Sequence, residues 1–147
     1  MERLATLPNV AGIKEACGNM EQICETMRRI RGKCAMYSGD DNLNLPITAI
    51  GGSGLISVAS NLFPADVKKV YTLTKAGNLA QANEVQDKLL PVIDACFIEV
   101  NPIPVKAGAN ILGWNCVVPR GPLTELEEAH KEVMRNVLKT YGAEVKA

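Results

Sequence analysis

The chain has few aromatics, one histidine and no net charge. Phe, Trp and Tyr make up 4% of its 147 residues, so aliphatic side chains must supply the core. Sixteen Lys+Arg balance sixteen Asp+Glu. Without a basic run there is no electrostatic footprint for nucleic acid or an acidic membrane surface, and neither is expected as a partner. No uncharged apolar stretch reaches the roughly 18 residues of a membrane span. Met1-Glu2-Arg3-Leu4 offers no apolar region of the kind a secretory leader carries, so a cytoplasmic location is expected. Five cysteines, none in a C-x-x-C pair, and the lone His130 leave few ligands for a metal; none is expected, and the thiols are read as reduced and mostly buried.

What the chain does have is alternation. Val10-Ala11-Gly12-Ile13 is a short apolar run ending at Lys14-Glu15, the pattern of a buried strand. Helical spacing follows through Ile23, Met27 and Ile30, with Gly32 at the expected C-cap. Cys34-Ala35-Met36-Tyr37 predicts a second strand, 43–50 a helix with Pro46 in its first turn, and Leu55 to Ala59 a third strand. Strand–helix alternation with short connections predicts a parallel sheet carrying helices. Beyond Pro64 the pattern is helical only: a helix starting at Pro64 with Val67, Val70, Tyr71 and Thr74 on one face before Gly77-Asn78, a long helix over 79–100 containing Pro91, a shorter one over 105–112, and a last one from Thr124 to about Tyr141. Asn101-Pro102-Ile103-Pro104 reads as a stiff extended turn, and Thr124 with Glu127 reads as a capping box.

Three places could carry chemistry. Lys14 stands at the carboxyl end of the first strand, where ligand sites lie in parallel α/β sheets and barrels. A lysine held against apolar walls becomes a nucleophilic amine; the plainer alternative is a solvated strand-end lysine. Ser38-Gly39-Asp40-Asp41 ends the second strand on bare backbone at Gly39, with one of the two aspartates expected to cap the following helix. Gly51-Gly52-Ser53-Gly54 precedes a strand instead of following one. That order argues for tight packing and against a phosphate cradle.

Taken in order, Gly12-Ile13-Lys14-Glu15-Ala16, Ser38-Gly39-Asp40-Asp41, Gly51-Gly52-x-Gly54-x-Ile56-Ser57-Val58 and Asn101-Pro102-Ile103-Pro104-Val105-Lys106 resemble the dihydrodipicolinate synthase and N-acetylneuraminate lyase family of Schiff-base lyases, and the form around Lys14 resembles its synthase branch. The resemblance covers essentially the whole chain. It implies α/β architecture: the last three parallel strands of a (β/α)₈ TIM barrel with their helices (residues 1–63), then the last barrel helix and a carboxyl-terminal helical region (64–147). It also implies that Lys14, on the sixth strand, forms an imine with pyruvate, whose enamine attacks an aldehyde, L-aspartate 4-semialdehyde in the synthases. Gly39 and Ile56 would lie around the bound keto acid, and no organic cofactor or metal would be needed.

A whole barrel of this kind takes about 250 residues. In the family a tyrosine–threonine relay, a carboxylate-binding threonine pair and an arginine come from earlier strands, and Tyr37 and Tyr71 do not stand in matching motifs. Met1 falls in what resembles the end of the fifth helix, which points to a truncated or split chain, inactive alone. Its open strand edges lead one to expect self-association or pairing with a complementary amino-terminal half. The alternatives are a non-catalytic half-barrel that serves folding or assembly, and an aldolase of the N-acetylneuraminate lyase kind.

Overall fold

In the computed structural model, which describes residues 1–146, the chain forms three parallel strands and six α-helices. It divides into two compact units. One comprises Met1–Ser57 and Lys69–Asn83, the other Val58–Lys68 and the residues from Glu84 onward.

The first unit holds the sheet. Strands β1 (Gly12–Glu15), β2 (Ala35–Ser38) and β3 (Gly54–Leu55) lie side by side in that order, with Lys14 opposite Tyr37, and Tyr37 opposite Gly54. Between the strands run α1 (Met20–Ile30) and α2 (Asn44–Ala49). The Asn19 side chain caps α1 by accepting the Gln22 N–H at 3.1 Å. Ile23, Met27 and Ile30 of α1 cluster with Met36 and Ile47, and all five are buried. Because side chains alternate along a strand, burying Met36 on the helix side turns Tyr37 to the other face. On that other face Lys14, Tyr37 and Ile56 are exposed, Ile56 to 48%.

The third strand is shorter than predicted. It covers Gly54–Leu55, and Ala59–Asn61 form a turn of 3-10 helix. Ile56 still donates its N–H to the Ser38 carbonyl at 2.8 Å, but the Ser57 hydroxyl then donates to the buried Asp41 carboxylate and ties the chain off.

The helices that follow are α3 (Pro64–Lys75), α4 (Leu79–Cys96), α5 (Ile103–Ile111) and α6 (Glu128–Tyr141). Val92, Ala95 and Cys96 of α4, Ile103, Val105 and Ile111 of α5, and Met134 and Leu138 of α6 form the core of the second unit. Several predicted boundaries move. The long helix stops at Cys96, not 100, because Phe97 closes back on the Asp94 carbonyl at 3.0 Å and Glu99 is used elsewhere. The shorter helix starts at Ile103, so Pro104 lies in its first turn, where no N–H is needed, and the predicted extended turn shrinks.

The capping box at Thr124 does not form. Helix α6 begins at Glu128, and the Glu99 carboxylate accepts the Glu127 N–H at 3.0 Å from 28 residues away. At its other end Gly142 closes the helix in the left-handed conformation, φ 99°. The thiols also differ from expectation: Cys96 is buried, whereas Cys17 and Cys24 are exposed and Cys34 and Cys116 half-buried.

Candidate active site

Lys14 is the next-to-last residue of β1 and projects from the exposed face of the sheet. Its neighbour Glu15 points the other way and is buried, with Oε1 accepting the Cys17 N–H at 2.8 Å. That bond closes the turn out of the strand, and Glu15 pushes the Cys17 thiol above its usual range. The strand end is thereby fixed, which fixes where Lys14 leaves the backbone.

Gly39 lies directly under the lysine. A Cβ placed there would stand 2.7 Å from Lys14 Cε, 2.8 Å from Cγ and 3.0 Å from the Ala16 Cβ. The turn that presents it is closed by its own side chains. Ser38 Oγ donates to the Asp40 carbonyl at 2.7 Å and accepts the Asp40 N–H at 3.2 Å. Asp40 accepts the Asn42 N–H at 2.9 Å and so caps the 3-10 turn Asp41–Leu43. One of the two aspartates is therefore a cap, and the other is buried against Ser57.

The Ile56 bond to Ser38 sets it beside the end of the neighbouring strand, where Gly39 follows. Gly52 explains the glycine cluster. A Cβ on it would meet the Ile47 carbonyl oxygen at 2.6 Å, so the chain packs directly on the end of α2.

Sequence reasoning set Tyr37 aside, yet it is the register partner of Lys14, and its ring lies over Gly54, 3.2 Å from where a Cβ would stand. The signal was available in the alternation with Met36. Asn101 to Lys106 contributes the start of α5 and buries Ile103, Pro104 and Val105.

In the second unit Glu99, Glu127 and His130 bring potential ligand atoms within 4.8 Å of one another. Glu99 already accepts from the Glu127 backbone, and its Oε1 lies 2.7 Å from His130 Nδ1. The carboxyl is held below its usual range, by the His130 hydrogen bond first. This cluster is accounted for as a helix cap.

The exposed face thus offers a primary amine, bare backbone beneath it, and an aromatic and an aliphatic wall. That arrangement suits condensation with a small carbonyl compound. The Dihydrodipicolinate synthetase family profile matches residues 1–141. The chain belongs to that family. The 4-hydroxy-tetrahydrodipicolinate synthase of Caldicellulosiruptor bescii is 44% identical over 146 residues, 99% of this chain and 49% of its own. That of Archaeoglobus fulgidus is 43% identical over 140 residues, 95% and 48%.

Among solved structures, dihydrodipicolinate synthase from Aquifex aeolicus superposes with a TM-score of 0.94 at 37% identity, covering 100% of this chain and 50% of that one. The chloride-inhibited synthase from Acinetobacter baumannii, solved in complex with pyruvate, gives 0.93 at 36%, covering 97% and 49%. The chain spans about half the length of the curated relatives it matches.

Proposed function

We propose that the chain is the lysine-bearing part of a pyruvate-condensing synthase, its strands β1 to β3 serving as strands six to eight of a (β/α)₈ barrel. Residues 1–63 would be the barrel portion and 64–147 the helical portion. The observation that carries this reading is the Lys14 side chain laid over Gly39 at the carboxyl end of a parallel strand.

The Lys14 Nζ attacks the keto carbon of pyruvate and water leaves, giving an iminium. Loss of a proton from the methyl carbon yields the enamine, which attacks the carbonyl carbon of L-aspartate 4-semialdehyde. Gly39 and Ile56 border the keto acid. No tyrosine relay or carboxylate-binding arginine is assigned among these residues, and these groups would come with the remaining strands of the barrel. The exposed Lys14, Tyr37 and Ile56 are consistent with a face that the remaining barrel strands cover.

The test mixes the chain with the amino-terminal half of the Caldicellulosiruptor bescii relative, adds pyruvate, and reduces with borohydride. Expected are a pyruvate-derived mass on the Lys14 peptide and turnover with the semialdehyde, both weak or absent for the chain alone. No adduct in the reconstituted mixture would leave the non-catalytic assembly module as the better reading.

A further inference from the structure

We propose that a cleft in the second unit, lined by α5, α6, the connection between them and Lys146, is a binding site for a small organic dianion of the dicarboxylate class. The cleft has a volume of about 250 Å³. Its floor is apolar, with the buried core residues Ile103, Ile111 and Leu126 reaching it. Its lining carries four cations, Lys106, Lys131, Arg135 and Lys146, against one carboxylate, Glu125.

Two of these cations are already engaged. Lys131 Nζ lies 2.8 Å from Glu128 and 3.3 Å from Glu125, and its ammonium is held above the usual lysine range, by Glu128 first. Arg135 Nε is 3.6 Å from Glu132, while its guanidinium donates to the Lys146 carbonyl at 2.8 Å. Lys106 and Lys146 differ, for among the described residues neither has a carboxylate within ion-pair distance.

The tail that brings Lys146 here is held at both sides. Its N–H donates to the Ile111 carbonyl at 2.9 Å, its carbonyl accepts from Arg135, and its side chain lies along Gly113. Gly113 has φ 83°, so the glycine is required there by its backbone, and its missing side chain leaves the path for the lysine. Lys146 is thus held at the edge of the cleft by a pinned segment.

An apolar floor with a few convergent charges is the usual make-up of a small-molecule site. Two ammoniums with no carboxylate partner among the described residues select a ligand with two negative groups, and charge-assisted contacts to carboxylates are the strong ones. The floor selects a carbon skeleton between them over a bare inorganic ion.

The test uses the whole chain and glutarate as the probe, followed by calorimetry and by amide chemical shifts. Expected is saturable millimolar or tighter binding that shifts the Asn110, Leu126 and Lys146 amides and weakens with salt. Substituting Lys106→Gln and Lys146→Gln together is expected to raise the dissociation constant at least about tenfold. Lys14→Ala is expected to leave glutarate binding unchanged, which separates this cleft from the imine-forming lysine.

Shifts confined to residues around Lys14, or none at all, would overturn the proposal. So would inorganic phosphate or neutral dimethyl glutarate that matches glutarate at the same amides. The wild-type shifts decide the matter on their own if the double variant does not fold.

Discussion

The Lys14 side chain crosses the sheet directly above Gly39, with Cε 2.7 Å from where a Cβ would stand. Gly39 has no left-handed backbone angle, so its torsions accept alanine. The nearest atoms to that Cβ are side-chain atoms, Cε and Cγ of Lys14 and the Ala16 methyl at 3.0 Å. Gly39→Ala therefore tests position without testing the fold. Misplacing a reacting group by about 1 Å can cost roughly 100-fold. We expect borohydride trapping by the reconstituted protein to fall by at least an order of magnitude, while the thermal midpoint moves little. Unchanged trapping would remove Gly39 from the site.

Gly52 poses the opposite case. There the obstacle to a Cβ is backbone, the Ile47 carbonyl oxygen at 2.6 Å, and that carbonyl also accepts the Gly52 N–H at 2.8 Å. A side chain cannot rotate out of the way. Gly52→Ala should cost about 1–3 kcal/mol, as overpacking does, and break the turn that leads into β3. Denaturant unfolding measures it, and a midpoint equal to the parent's would show that the close approach is not needed.

Much of this was readable from the residues. Short apolar runs bounded by turn signals mark the first two strands and overlap the third only at Leu55, and alternation around Lys14 gives its face. The strand ends were less legible, because Ser57 leaves the ladder for Asp41, a partner 16 positions back that no local pattern marks. The start of α6 failed for the same reason: Thr124 and Glu127 have capping-box spacing, but Glu99 competes for the Glu127 N–H and wins. Tyr37 stands in no motif, and only strand parity with Met36 marks its side of the sheet. The pairing of Lys146 with the α5 end depends on a tail returning over Gly113, which spacing does not encode.

Glu99 gives a pH-dependent prediction. Its carboxyl is held below the ordinary value of 4.5, by His130 and then by the Glu127 N–H. A carboxyl depressed on folding contributes stability that is full above its unfolded value and lost as pH falls through the folded one. Glu99→Gln keeps an acceptor for the cap but removes the charge, and Glu99→Ala removes both. At neutral pH the thermal midpoint should drop by a few degrees for alanine and by less for glutamine. The gap between the parent and the glutamine variant should narrow once the pH is below 4.5. A constant gap across that range would mean that Glu99 acts through packing alone.

Tyr37 separates two roles that a tyrosine beside an imine-forming lysine could play. It is the register partner of Lys14, and its ring stands 3.2 Å from the Cβ position of Gly54. The ring is thus held as a wall by strand pairing and by the missing Gly54 side chain. If the wall is what matters, Tyr37→Phe should retain trapping and turnover in the reconstituted protein within about twofold. Tyr37→Ala should weaken pyruvate binding, because the aromatic surface next to the lysine is gone. A proton-transfer role predicts another pattern, since general acid–base groups contribute roughly 100-fold or more. Phenylalanine would then be nearly as damaging as alanine, and the loss would fall on turnover with little change in pyruvate affinity. Measuring trapping affinity and turnover separately for the two variants distinguishes them. The placement of the ring against Gly54 favours the wall.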